Sequence, residues 1–184
     1  MLYAARPDGF RRARSQARPP AIAFTEHPPA MKIDSIDKQI LAILQENAEH
    51  PIADIAAMVN LSATPCWRRI QRLKEAGVIT KQVALLDPRR INLGVTVFVL
   101  VKTNQHNQNW FDSFYAAVKA IPEVVEFYRV SGDVDYLLRV VVPDIAAYDQ
   151  VYKRLIETTV VFDVSSSFSM EENKFTTSLP LTYV

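Results

Sequence analysis

From Asp34 onward, apolar residues recur at helical spacing. Ile36, Ile40, Ile43 and Leu44 share one helix face, and Asp34 is placed to cap its N-terminus. Pro51, suited to a first helical position, opens a second, short helix with Ile52, Ile55 and Val59 turned inward, and the chain must turn at Asn60. Ser62 is a natural cap for a third helix that carries Cys66, Ile70 and Leu73 inward and stops at Gly77. Three helices in quick succession, the last two joined by a tight turn from Asn60 to Ser62, make a helix-turn-helix pattern. The β-prone run Val78 to Leu86 predicts a small wing, stopped by Asp87-Pro88.

Beyond Leu93 the spacing alternates between strand and helix periods. Strands are predicted at Val95 to Thr103, Val124 to Val130, Tyr136 to Val142 and roughly Phe162 to Met170. Between them Phe111, Phe114, Val118 and Ile121, then Ile145, Tyr148, Tyr152 and Leu155, mark two amphipathic helices, with Asp144 capping the second. This βαββαβ order is the ferredoxin-like unit, an antiparallel sheet with both helices on one face. The chain is therefore expected to be α+β, a winged helix-turn-helix followed by a ferredoxin-like domain.

A sheet with one wet face should alternate apolar with polar residues. These strands do not. Val95, Val97, Val99 and Val101 take one parity while Phe98 and Leu100 take the other, and Leu138, Val140 and Val142 stand against Leu137 and Val141. At about 25 cal/mol per Å² the second apolar face gains several kcal/mol by being covered. A partner subunit is expected there; the alternative is that Lys174 to Val184 folds back over it.

Composition changes this picture at two points. Residues 1–30 hold Pro7, Pro19, Pro20, Pro28 and Pro29 with five arginines, two acids and no apolar period, so they are expected to form a disordered tail. Met31, just before the first helix, is a candidate start of the native chain. The net charge of +1 also hides a gradient. Residues 31–90 carry nine basic and seven acidic side chains, whereas residues 91–184 carry seven against eleven, which points the front half toward a polyanion. The longest apolar stretch, Val95 to Val101, is far short of the roughly 20 residues of a membrane span, so no membrane partner is expected. Cys66 is the single cysteine, and His27, His50 and His106 show no metal-ligand spacing. Neither a metal nor a cofactor is expected, and a reducing cytoplasm fits best.

On a wheel of the third helix Cys66, Ile70 and Leu73 cluster, and Thr64, Arg68, Gln71, Arg72 and Glu75 fall opposite. Arg can donate a bidentate pair to guanine and Gln to adenine, so this face suits a major groove. Arg69, Lys74, Lys81, Arg89 and Arg90 flank it and suit phosphates. Ser62 belongs to the same DNA-facing set. The bland alternative is a solvated helix face or a protein-docking trio of helices. Trp67 is expected to pack at the rim of the domain rather than against a base, and Cys66 to be a small core residue.

The run Ser62-Ala63-Thr64-Pro65-Cys66-Trp67-Arg68-Arg69-Ile70, followed by Leu73-Lys74-Glu75-Ala76-Gly77-Val78-Ile79, resembles the recognition helix of the Lrp/AsnC ("feast/famine") regulators. A second stretch, Val130-Ser131-Gly132-Asp133-Val134-Asp135-Tyr136-Leu137-Leu138, resembles that family's effector-domain turn, and Met170-Glu171-Glu172 continues the match in order. The resemblance implies a helix-turn-helix at about 51–70, dimers assembling into octamers or similar rings, and amino acids as effectors. Val83 to Pro88 and Thr176 to Pro180 resemble the branch that includes cysteine-responsive regulators, which suggests cysteine. One departure is Thr158-Thr159-Val160-Val161, where the family usually carries a Pro-Gly-like turn; this leaves the start of the last strand open.

Read physically, Ser131-Gly132-Asp133 is a tight connection between strands, with Gly132 free to take a positive φ. Asp133 and Asp135 beside turn amides could also receive an amino acid's ammonium and carboxylate together. The effector set is thus Gly132, Asp133, Asp135 and Tyr136, with Ser165, Ser166 and Ser167 as candidates from a neighbouring subunit. The resulting map is a tail at 1–30, a winged helix-turn-helix at 31–83, a linker at 84–93, and an effector-binding and oligomerisation domain at 94–184. The expected function is a sequence-specific, nucleoid-associated transcription regulator modulated by an amino acid. Two alternatives stay open: an architectural DNA-binding protein without effector, and an enzyme using Asp133 and Asp135 as acid and base. No Cys or His nucleophile accompanies those carboxylates, so no enzyme is expected.

Overall fold

The computed structural model describes residues 31–105, 107–158 and 163–184. The expected tail at 1–30 and residues 159–161 of the departure from the family pattern lie outside these. α1 (Ser35–Glu46) opens with a reciprocal capping box: the Asp37 N–H donates to the Asp34 carboxylate at 2.8 Å, and the Asp34 N–H donates to the Asp37 carboxylate at 3.3 Å. α2 (Ile52–Met58) starts one residue later than expected, with Pro51 at the N-cap. Asn60 takes the left-handed turn at φ 55, and α3 (Ala63–Glu75) follows. Ser62 occupies the N-cap of α3, but its side chain makes no capping bond. Gly77 at φ 72 lets the Val78 and Ile79 N–H groups donate back to the Leu73 carbonyl, which ends the helix. Ile40, Ile55, Val59, Cys66, Ile70 and Leu73 interlock as the core of this domain.

The segment in the wing position differs from expectation. Val78 to Leu86 contains no strand, and Val83, Leu85 and Leu86 lie exposed. The reason is pairing: a strand needs a neighbour to take its N–H and C=O groups, and the four described strands all belong to the second domain's sheet. A short 3-10 turn, Pro88–Ile91, then leads into that domain.

There β1 (Val95–Lys102), α4 (Gln108–Lys119), β2 (Val124–Arg129), β3 (Tyr136–Val142), α5 (Ile145–Thr158) and β4 (Asp163–Phe168) follow in the expected βαββαβ order. The strands lie in the order β2-β3-β1-β4, all antiparallel, with a bulge between Val124 and Glu126. Val97, Val99, Val101, Leu138, Val140 and Val142 face the helices and meet Trp110, Phe114, Val118, Tyr148, Val151 and Leu155. Ile145, expected to point inward, is 68% exposed because it sits on the first turn of α5, where Asp144 caps the helix by accepting from the Ala147 N–H. Val151 takes a buried place on that helix instead.

The opposite sheet face carries Phe98 and Leu100 beside the Arg139–Glu126 ion pair at 2.6 Å. The C-terminal segment does not supply its cover. It runs to the first domain, where the Gln45 side chain accepts from the Leu179 N–H at 2.6 Å and donates to the Leu179 carbonyl at 3.3 Å. Leu181 packs on the three-helix core. Between α1, the 78–85 stretch and this tail lies a cavity of about 520 Å³ with mostly apolar walls.

Candidate DNA-reading face and effector turn

The buried face of α3 fixes which of its polar side chains point away from the body. Thr64, Arg68, Lys74 and Glu75 are exposed and Gln71 is partly exposed, and among the described residues none of these five side chains has a hydrogen-bond partner. The two remaining arginines behave otherwise. Asp37 on α1 is 0% exposed, and both of its oxygens are taken by α3: Arg69 Nη1 donates to one at 2.8 Å and Arg72 Nη2 to the other at 2.5 Å. Arg69 Nη1 also reaches the Asp34 carboxylate at 2.6 Å. Hydrogen bonding from Arg69, then from the Asp37 backbone, holds the Asp34 carboxyl down at about 2.

This clamp alters the expected division of labour. Arg72, placed on the base-reading side by the helical wheel, is half exposed but spends one edge of its guanidinium on Asp37. Arg69, expected at phosphates, is 27% exposed and doubly paired within the protein. Both arginines fix α3 against α1. Lys81 lies exposed on the stretch after α3, and Arg90 pairs with Asp87 at 3.3 Å. Cys66 is buried, and burial pushes its thiol above the ordinary value, which keeps it in the unreactive protonated form. Trp67 is 48% exposed, and among the described residues its indole N–H has no acceptor.

In the second domain the turn between β2 and β3 presents Ser131, Gly132 and Asp133 to solvent, with Gly132 at φ 138. No atom would crowd a Cβ there, so the demand for glycine is conformational alone. Asp135 is a brace: its carboxylate accepts from the Thr103 N–H at 2.8 Å, its own N–H donates to the Val101 carbonyl, and its carbonyl accepts from the Val130 N–H. Tyr136 is 4% exposed, its ring in contact with Trp110, Phe111, Phe114 and Phe127, and burial pushes its phenol up. Of the four nominated residues, Asp133 alone offers an exposed charge with no partner among the described residues. Ser166 bonds to the Tyr148 hydroxyl, while Ser165 and Ser167 are exposed on the open sheet face.

Residues 33–80 match the family model of a winged helix-turn-helix DNA-binding domain, and residues 96–179 match that of the Lrp/AsnC ligand binding domain. The chain belongs to the Lrp/AsnC family. It is 47% identical over 150 residues to the DNA-binding transcriptional activator DecR of Escherichia coli K12, covering 81% of this chain and 99% of that protein. An AsnC family transcriptional regulator from Agrobacterium tumefaciens superposes at a TM-score of 0.79 with 59% identity, covering 82% of this chain and 98% of that one. A transcriptional regulator from Neisseria meningitidis, solved as a complex with L-methionine, is 36% identical at a TM-score of 0.79, covering 83% of this chain and 99% of its own.

In this Lrp/AsnC protein α3 lies within the matched DNA-binding domain and the Ser131–Asp133 turn within the matched ligand binding domain. Two features escaped sequence reasoning. The Asp37 clamp had a faint signal, since a capping-box acid on the first helix and two arginines three apart on the third are complementary. The Gln45 hook on Leu179 had none, because it joins a lone glutamine to backbone far along the chain.

Proposed function

We propose that this chain is a sequence-specific transcription regulator that lays α3 in the major groove of double-stranded DNA and changes its assembly or DNA affinity when a small amino acid binds the second domain. The free, outward Arg68 beside Gln71 on a clamped helix carries the DNA-reading half. Thr64 and Ser62 lie at the N-terminal end of that helix, and Lys74 and Lys81 are placed for phosphates. Arg69 and Arg72 act by holding the helix.

For the effector, Gly132 and Asp133 at the turn are the contact points, with Asp135 and Tyr136 fixing it from behind. Asp133 would take the ammonium and neighbouring turn amides the carboxylate. A turn facing solvent cannot enclose a ligand, and small-molecule sites bury about 70–90% of their occupant. A second copy must therefore close the site, which joins effector binding to assembly of dimers into octamers or a similar ring. The apolar open sheet face around Phe98 and Leu100 supports a dimer contact. A methionine complex of a relative and the cysteine-responsive resemblance make these two amino acids the first to test.

The deciding experiment is a gel shift on DNA upstream of the chain's own gene, titrated with each common amino acid, for wild type and Asp133→Ala. Wild type should prefer this DNA over random duplex and respond to at least one amino acid; Asp133→Ala should bind but not respond. Equal affinity for random DNA would replace the regulator with an architectural protein. A retained response in Asp133→Ala would move the effector site away from this turn.

A further inference from the structure

Resting on the placement of α3 in the groove, we infer that Trp67 is a specificity-determining residue that packs its indole against thymine methyl groups. The wheel of α3 carries the argument. With Cys66, Ile70 and Leu73 inward, Arg69 lies on one flank and Trp67 on the other, separated by about 160° at roughly 100° per residue. Asp37 draws Arg69 and Arg72 toward α1. The exposed stripe left over runs along the far flank through Thr64, Trp67, Arg68 and Gln71, with Lys74 at its edge. The indole lies on the flank of that stripe beside Lys74, about 100° round the helix from Arg68, where it would meet the wall of the groove next to the bases that Arg68 and Gln71 read.

The chemistry of such a side chain selects its target. Apolar area half exposed on a helix flanked by free cations gains by burial, and the apolar feature of a major groove is the C5-methyl of thymine. Arg68 would read guanine edges and Gln71 adenine edges, while Trp67 would add preference for a thymine beside them. The protein's other tryptophan, Trp110, is buried in the second domain, so the two indoles report on different domains.

The test compares the upstream duplex with the same duplex prepared with deoxyuridine in place of thymidine, which removes the methyl groups and leaves the pairing intact. Full-length wild type should lose about fourfold in affinity per contacted methyl on the uracil duplex. Trp67→Ala should bind both versions equally. Trp67→Phe, which keeps an aromatic face, should restore part of the difference. Acrylamide quenching of the unsubstituted protein provides a readout that needs no variant: the upstream duplex should shield the Trp67 emission. An equal uracil penalty in wild type and Trp67→Ala, or a Trp67 that stays open to quencher on the upstream duplex, overturns the inference. Failure of wild type to distinguish upstream from random DNA would overturn the regulator reading as well, and is separable because it appears before any tryptophan is changed.

Discussion

The third helix of the DNA-binding domain and the β2–β3 turn of the ligand-binding domain are each marked in the sequence by a small cluster of charged and polar residues. In the folded chain each cluster splits in two. On α3 the arginines at 69 and 72 turn back to the buried Asp37, while Arg68 and Gln71 have no side-chain partner among the described residues. At the turn Asp135 and Tyr136 are used by the fold itself, and Asp133 has no partner among the described residues. Side chains used by the fold thus sit within a few residues of those proposed to contact a ligand, and a partner elsewhere in the chain decides which is which. Substitutions of the positioning class should cost stability, and those of the contacting class should cost affinity or response at constant stability.

The largest expected effect tests Tyr136. If its ring is part of the aromatic core, Tyr136→Ala should destabilise the protein by about 3–5 kcal/mol in denaturant unfolding, the range for removing a large buried ring. Tyr136→Phe should retain both stability and effector response. A stable Tyr136→Ala that has lost only the response would make the residue a ligand contact.

Next is Asp37. Asp37→Ala leaves Arg72 without its carboxylate and Arg69 with Asp34 alone; removing one partner of a buried ion pair costs about 3–5 kcal/mol, and here about 2 kcal/mol because both arginines are partly open to solvent. Unfolding of Asp37→Ala within about 0.5 kcal/mol of wild type would mean that the clamp is ornamental. The matching contact substitution, Arg68→Ala, should leave the unfolding midpoint unchanged and weaken operator binding by about 1–3 kcal/mol with relaxed base preference. Equal operator discrimination before and after Arg68→Ala would remove it from the reading face.

These contrasts show what was legible beforehand. Helical and strand periods are local, so the βαββαβ order, the Asp34 cap and the inward positions Cys66, Ile70 and Leu73 could be read directly. The long-range pairings could not. Val78 to Leu86 has β-prone residues but no strand beside it, and propensity alone does not supply a ladder. Ile145 obeys the spacing of α5, yet lies on its first turn and is exposed. The Arg72 pairing with Asp37 was hidden for a different reason: a wheel locates a Cα direction, and a long guanidinium side chain can swing back to a carboxylate on another helix.

The smallest effect separates the two domains by acid. Asp34 caps α1 and pairs with Arg69 at 2.6 Å, whereas the corresponding cap of α4 is Asn107, which accepts from the Trp110 N–H and does not titrate. Because the Asp34 carboxyl is lowered from 3.8 to about 2 in the folded chain, the unfolded chain binds its proton first as pH falls. Its contribution is complete above about pH 5 and is lost as pH drops through 4 toward 2. Urea midpoints followed through Trp67 should therefore fall more steeply in this window than those followed through Trp110. Asp34→Asn, which keeps a capping oxygen but loses the ionisation, should flatten the Trp67 dependence and leave that of Trp110 unchanged. High salt should shrink the difference, since the Asp34 side chain is partly open to solvent. An unaltered Trp67 profile in Asp34→Asn would show that the acid sensitivity of the reading domain originates in carboxylates other than this cap.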